Sequence, residues 1–348
     1  MQIAVDGSLL IEQPYSPSSL HLIEWLSVLN GAGIQVTLLH SEGRLPPLPP
    51  EIRTHAIVQK EEAWGRLRFE QRDLPRAAGE LKADLLLTGE GWAPLVSPCP
   101  IATLSSIDGD QKTGGFLDRL AFAAGTAGSR GASAKLYPGD VRVQAGRTKY
   151  PPFVDHAFTE ADQEVRDEYV LCYGFDRRDI ALILSAWTWV DGSLGDTHPL
   201  IFLGADSSLT LEIQSMAAKL DIEGSVLTRP EIFYDDLPKV YGGAAAYLGT
   251  AFAAGGQAMR WALASGAPVI GLKTPEFESV LGGAAYLVPP YDSRTLGAAC
   301  LTVLIQERVS EPLREKGRHR AVEYLDSRAQ TQLIDLLSEV AKSGKGGT

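Results

Sequence analysis

The chain has 348 residues, enough for about two domains of ordinary size. Its 45% hydrophobic, 22% charged and 8% aromatic residues are those of a folded globular protein, which excludes long disorder and fibrous repeats. A net charge of −11 repels a phosphate backbone, so nucleic acid is not an expected partner.

In chain order, residues 1–5 read as a short strand ending at Asp6-Gly7. After a Ser/Pro-rich loop, Leu20, Ile23, Leu26, Val28 and Leu29 recur near helical spacing until Gly31 and Gly33 stop the helix. Residues 34–39 give a second strand, so the chain opens with a βαβ unit. Apolar runs at 83–87 and 101–104 continue the alternation, with a helix over about 72–81. A second series of strands is expected at 169–173, 199–203, 225–227, 244–248, 268–272 and 285–288, with helices between them.

The polar, Pro-containing segment 147–166 separates the two series. The expected architecture is therefore α/β, with two doubly wound Rossmann-like domains facing across a cleft and the ligand at the carboxyl ends of the strands. The domains are placed at 1–150 and 151–323. Residues 324–348 are expected to return to the first domain as part of a polar helix over about 314–340, followed by a tail.

Charge is uneven. Residues 1–150 hold 15 basic and 16 acidic groups, and residues 151–348 hold 17 and 27. Arg130, Lys135, Arg142, Arg147 and Lys149 form a locally basic stretch, read as a solvated face or at most a peripheral contact with an anionic membrane. Cys99, Cys172 and Cys300 are odd in number and far apart, which fits a reducing cytoplasm and neither a disulfide framework nor a zinc site. The longest apolar run, at 180–190, falls short of the roughly 20 residues of a membrane span, and no signal-type leader is evident.

The segment Leu237-Pro238-Lys239-Val240-Tyr241-Gly242-Gly243-Ala244, followed by Ala262-Leu263-Ala264-Ser265-Gly266-Ala267-Pro268-Val269-Ile270, resembles the C-terminal domain of family-4 (group 1) glycosyltransferases of the GT-B fold. Those enzymes carry similar LPxLYxxAD and EAMAxGxPVV motifs at the same separation. Collinear matches extend the resemblance: Leu74-Pro75-Arg76, Ser129-Arg130, Phe153-Val154-Asp155 with Phe158, Gly174 with Arg177 and Arg178, and Leu287-Val288-Pro289-Pro290. Singly, each is what any strand-turn-helix unit needs; their order is what the family shares.

The resemblance implies metal-independent, retaining transfer of a sugar from a nucleotide-sugar donor to an acceptor, with no cofactor beyond that substrate. Diphosphate binding falls to Arg177, Arg178, Gly255, Gly256 and Gln257, because guanidinium forks and helix N-terminal amides match phosphate oxygens. Arg177 and Arg178 have a second reading, as surface partners of Asp176 and Asp179. The nucleoside would lie near Arg229, Pro230, Glu231 and Trp261. The acceptor would lie near Ser16, Ser18, Ser19, Glu90, Ser105, Ser106 and Asp108.

The catalytic residues themselves stay unassigned, because the sequence departs from the family at its chemical centre. The two family glutamates, eight positions apart, fall on Ala253 and Trp261, and the family histidine falls on Ser105 or Ser106. Losing the ribose-binding carboxylate removes a charge-assisted hydrogen bond of about 1.5–3 kcal/mol. Trp261 also reads as a core residue at the start of a buried helix. A second function is therefore expected beside transfer: an inactive pseudo-glycosyltransferase serving as partner or regulator of an active one.

No metal is expected. His21, His40, His55, His156, His198 and His319 show no ligand spacing, and Asp108-Gly109-Asp110 imitates a metal-binding DxD while also reading as an Asp-Gly turn. The segment 125–135 lacks the Gly-Lys-Ser/Thr step of a P-loop.

Overall fold

The computed structural model describes residues 1–58, 64–90, 92–108, 116–140, 148–161, 167–325 and 327–343. The first lobe runs β1 (Gln2–Asp6), α1 (Ser8–Glu12), α2 (Pro17–Gly31), β2 (Gln35–Ser41), β3 (Arg53–Ile57), α3 (Gly65–Arg68) and α4 (Leu74–Glu80). It continues through β4 (Leu85–Glu90), β5 (Ile101–Asp108), α5 (Phe116–Arg130), β6 (Ala134–Pro138) and β7 (Thr148–Tyr150).

The second lobe begins with α6 (Ala157–Glu160), β8 (Val170–Tyr173), α7 (Ile180–Leu194), β9 (Leu200–Leu203), α8 (Ser207–Lys219), β10 (Val226–Arg229), α9 (Leu237–Gly243) and β11 (Ala246–Gly249). Then follow α10 (Gln257–Ala264), β12 (Val269–Leu272), α11 (Pro275–Leu281), β13 (Ala285–Val288), α12 (Ser293–Ile305), α13 (Glu307–Ala321) and α14 (Ser327–Ser343).

Both sheets are parallel, ordered β3-β2-β1-β4-β5-β6-β7 and β10-β9-β8-β11-β12-β13. Their central strands are short apolar runs buried on both faces, which is what helices on either side of a parallel sheet require. The strand order reverses at β1/β4 and at β8/β11, the switch points at which open α/β sheets generally bind ligands.

Three strands escape the sequence reading. β3 is an exposed edge strand with no apolar run to mark it, β6 reads Ala-Lys-Leu-Tyr-Pro, and β7 has only three residues. The single late helix expected over about 314–340 is two helices. The chain turns at Val322–Tyr324 because Tyr324 is tied elsewhere: its carbonyl accepts from Val154 N–H at 3.0 Å, and its buried hydroxyl lies 3.0 Å from Asp140 Oδ2 and 3.1 Å from the Val280 carbonyl.

One hydrophobic core passes through both lobes, from Val5, Leu38 and Leu87 through Trp25 and Phe153 to Tyr173, Tyr241, Trp261 and Val280. α14 joins that core through Leu333 and Leu337 and packs beside β4 and β7. The outer faces of the sheets carry separate clusters, around Trp187 on the second lobe and Phe69 on the first. Of the basic stretch, Arg130 and Lys149 are exposed and Lys135 is half-buried, while Arg142 and Arg147 lie outside the described residues. Among the described residues no helix is long and apolar enough to cross a membrane.

Candidate interdomain site

The lobes meet at the carboxyl ends of their strands. Ser16 caps α2, its Oγ accepting from Ser19 N–H at 3.2 Å, while the buried Ser19 hydroxyl donates to the Gln13 carbonyl at 2.5 Å. Ser18 is buried too. Two of the three serines proposed for an acceptor thus shape the turn before α2. That turn is pressed onto the second lobe: the Tyr15 carbonyl accepts from Tyr173 Oη at 2.9 Å.

Gly174, at φ +75°, lies where the two lobes touch. A Cβ there would come within 2.5 Å of Ala253 Cβ and 2.9 Å of Pro17 Cγ, so only glycine fits between the β11–α10 turn and α2.

The arginines after Gly174 face outward. Arg177, 61% exposed, pairs with Glu212 of α8 at 2.5 Å, and Arg178, 88% exposed, binds Asp176 at 2.6 and 3.0 Å. The Arg178 bond holds the Asp176 carboxyl below its ordinary range. The expected surface pairing is therefore seen for Arg178 with Asp176, but Arg177 chooses Glu212 over Asp179. Asp179 stands immediately before α7, where burial raises its carboxyl against the opposing influence of the Thr250 hydroxyl at the end of β11. A carboxylate thus occupies the end of α7 that would attract a phosphate.

The second crossover has a left-handed turn and different side chains. Ala254, Gly255 and Gly256 all have positive φ (51°, 60° and 88°) ahead of α10, and β5 packs against this turn. Gln257, 1% exposed, places Nε2 2.9 Å from Glu24 Oε2 of the first lobe and 2.8 Å from the Phe153 carbonyl of the connecting segment. Arg260, fully buried, grips Asp140 with Nε at 3.0 Å and Nη2 at 2.5 Å, and its Nη1 donates to the Gly255 carbonyl at 3.0 Å. Bidentate geometry and a salt-bridged partner make burial of that guanidinium tolerable.

Trp261 completes the seam. Fully buried, it stacks on Phe158 (5.6 Å, 2° between planes) and Tyr173 (6.4 Å, 17°), and its Nε1 donates to Glu24 at 3.3 Å. Where the family resemblance places a ribose-binding carboxylate, an indole fills the space.

Glu24 is the centre of this arrangement. Besides Gln257 and Trp261 it accepts from the Asp155 backbone N–H at 3.1 Å and from His21 Nδ1 at 3.0 Å. Trp25 Nε1 donates to His21 Nε2 at 3.1 Å, which fixes the proton of the imidazole on Nδ1. Burial lowers the His21 pKa, with the Glu24 bond opposing, so the ring is held neutral and the carboxylate is satisfied by N–H groups rather than by a cation.

Sequence reasoning did not single out Glu24, Asp140, Arg260 or Tyr324. The signal for Glu24 was present: a carboxylate inside the apolar run of α2 must find donors if the helix is buried on that side.

Of the residues expected near the nucleoside, only Trp261 joins this centre. Arg229, Pro230 and Glu231 are exposed at the end of β10 and share no hydrogen bond or ring contact with Trp261 among the described residues. The backbones of Glu90, Ser105, Ser106 and Asp108 lie on β4 and β5, with Glu90 in register with Asp108. Their side chains, and Gly109 and Asp110 altogether, lie outside the described residues.

No protein-family model and no curated protein matches the chain. Solved structures do match along its length. Sucrose-phosphate synthase from Thermosynechococcus elongatus has a TM-score of 0.71 at 14% identity, covering 99% of this chain and 100% of that one. WaaG, a glycosyltransferase involved in lipopolysaccharide biosynthesis, has 0.69 at 16%, covering 99% and 100%. Anabaena HepE in complex with UDP and glucose has 0.67 at 13%, covering 97% and 100%. The likeness is one of fold: the chain has the GT-B architecture, two doubly wound lobes facing each other.

Proposed function

We propose that this chain is a GT-B protein whose interdomain site has given up glycosyl transfer, an inactive pseudo-glycosyltransferase that serves as partner or regulatory subunit of an active glycosyltransferase. One observation carries the reading: α10, the helix that by resemblance should present diphosphate- and ribose-binding groups, spends Gln257, Arg260 and Trp261 on Glu24 and Asp140 of the first lobe and on the Phe153 carbonyl of the connecting segment. Ala253 offers no hydrogen bond to a sugar, Arg177 and Arg178 are engaged with carboxylates, and Asp179 would repel a phosphate. Fold by itself does not decide between binding and catalysis.

A second reading rests on the positive-φ turn at 254–256, whose backbone could still admit a phosphate to the N-terminus of α10. Under it the protein is a metal-independent, retaining glycosyltransferase with a nucleotide sugar as substrate and no other cofactor.

Calorimetric titration with UDP, GDP, ADP and TDP, paired with an NMR assay for breakdown or transfer of the matching sugar nucleotides, separates the two. The first reading expects no turnover of any donor. Saturable diphosphate binding together with donor turnover at enzyme-like rates, on the order of 1 per second or faster, overturns it and establishes the second.

A further inference from the structure

A cavity of about 460 Å³ lies beside the α10 seam, between α2, the segment 153–156 and the first turns of α14. Its walls include Ser27 of α2, Asp155 and His156 of the connecting segment, and Ser327, Gln330 and Thr331 of α14. The volume is that of a small-molecule site, and three separate parts of the chain converge on it.

The lining has a definite chemistry. Among the described residues no lysine or arginine borders the cavity, and beside His156 two carboxylates do, Asp155 and the buried Glu24. Glu24 contributes potential rather than a free bond, because its oxygens already accept from four N–H groups. Asp155 keeps capacity in hand: Oδ1 accepts from Ala157 N–H at 2.9 Å, and Oδ2 carries no bond among the described residues. Hydroxyls from α2 and α14 and the Gln330 amide add donors and acceptors, and Val28, Phe153 and Ile334 supply apolar wall. Such a site rejects phosphate and sulfate. It suits a compact ligand with a protonated amine for the carboxylate field and hydroxyls for the polar rim.

We propose that this cavity binds a small hydroxylated amine, of the size and chemistry of an amino sugar. The cavity and the seam share Glu24 and Phe153. An occupant can therefore be felt where the lobes join.

The test uses the full chain and three probes built on one hexose ring, glucosamine, glucose and glucose 6-phosphate, titrated by calorimetry at constant ionic strength and neutral pH. The expected order is glucosamine first, glucose weaker by about tenfold or more, and glucose 6-phosphate without binding. Asp155→Asn should weaken glucosamine by about tenfold, and Thr331→Phe should abolish binding by filling the cavity. Thr331 borders this cavity and not the neighbouring one of about 270 Å³ that shares Ser27 and Asp155, so it decides the location even where Asp155→Asn fails to fold. Near-UV circular dichroism checks that each variant is native. Absence of glucosamine binding, equal binding of all three probes, or binding untouched by a folded Thr331→Phe protein overturns the proposal.

Discussion

Two strand-to-helix crossovers of the second sheet can be set side by side. After β8, the chain turns at Gly174 and enters α7 with Asp176, Arg177, Arg178 and Asp179; after β11, it turns at Ala254–Gly256 and enters α10 with Gln257, Arg260 and Trp261. Both have positive-φ backbone before a helix, and both belong to the switch point where α/β folds bind ligands. One has turned its cations toward water and neutralised them locally, and the other has buried its polar groups against the opposite lobe. A shared backbone device thus has two fates, set by whether the side chains after the turn meet solvent or protein.

Removing the indole is the strongest way to break that contrast. Trp261→Ala is expected to cost about 3–5 kcal/mol in urea unfolding, the range for deleting a large buried aromatic, and also strips a donor from Glu24. Trp261→Glu, which puts a carboxylate where the resemblance would have one, sets a second buried anion beside Glu24 and is expected to lose at least as much stability without gaining donor turnover. A folded, active Trp261→Glu protein would remove the case for a sealed seam.

The first lobe supplies a third crossover, at Asp6 after β1. Burial raises the Asp6 carboxyl from 3.8 to about 7, against the bonds from Ser8. The folded protein then holds a proton that the unfolded chain releases above about pH 4, so this group's contribution is greatest in acid and declines up to pH 7. From pH 5 to 8 the decline amounts to about 3 kcal/mol, and Asp6→Asn should flatten it in urea unfolding measured across that range.

A smaller effect sharpens the account of the seam. In a double-mutant cycle of Glu24→Gln and Gln257→Leu, a coupling of about 1–2 kcal/mol is expected, since the 2.9 Å bond is buried and one partner is a carboxylate. A coupling near zero would reduce the contact to geometry without energy. The smallest effect belongs to the exposed turn: Arg177→Ala and Arg178→Ala should leave the unfolding midpoint unchanged within error, as solvated ion pairs do. Loss of nucleotide binding in either variant would instead restore the phosphate role.

The sequence carried the lobes well because their strands are apolar runs separated by glycine turns, a pattern that burial on both faces imposes. It failed at β3, whose residues are exposed and obey no such demand, and at Tyr324, whose helix is interrupted by contacts with Asp140 and Val154 that are far away in the chain. At the candidate site, the lack of the carboxylates that the resemblance would place at Ala253 and Trp261 was legible directly. The cross-lobe bond set was not, because Glu24 and Gln257 are 233 residues apart and nothing local pairs them.

The return of α14 to β4 and β7 bears on how the polypeptide is made. Leu333 and Leu337 complete a hydrophobic layer whose other members emerge from the ribosome far earlier, β7 ending at Tyr150. At synthesis rates of about 5–20 residues per second, the nascent first lobe waits roughly 10–40 s for its last wall. During that interval a bare apolar face is open to chaperones, so the first lobe, although translated first, reaches its finished state only when the second has been threaded out.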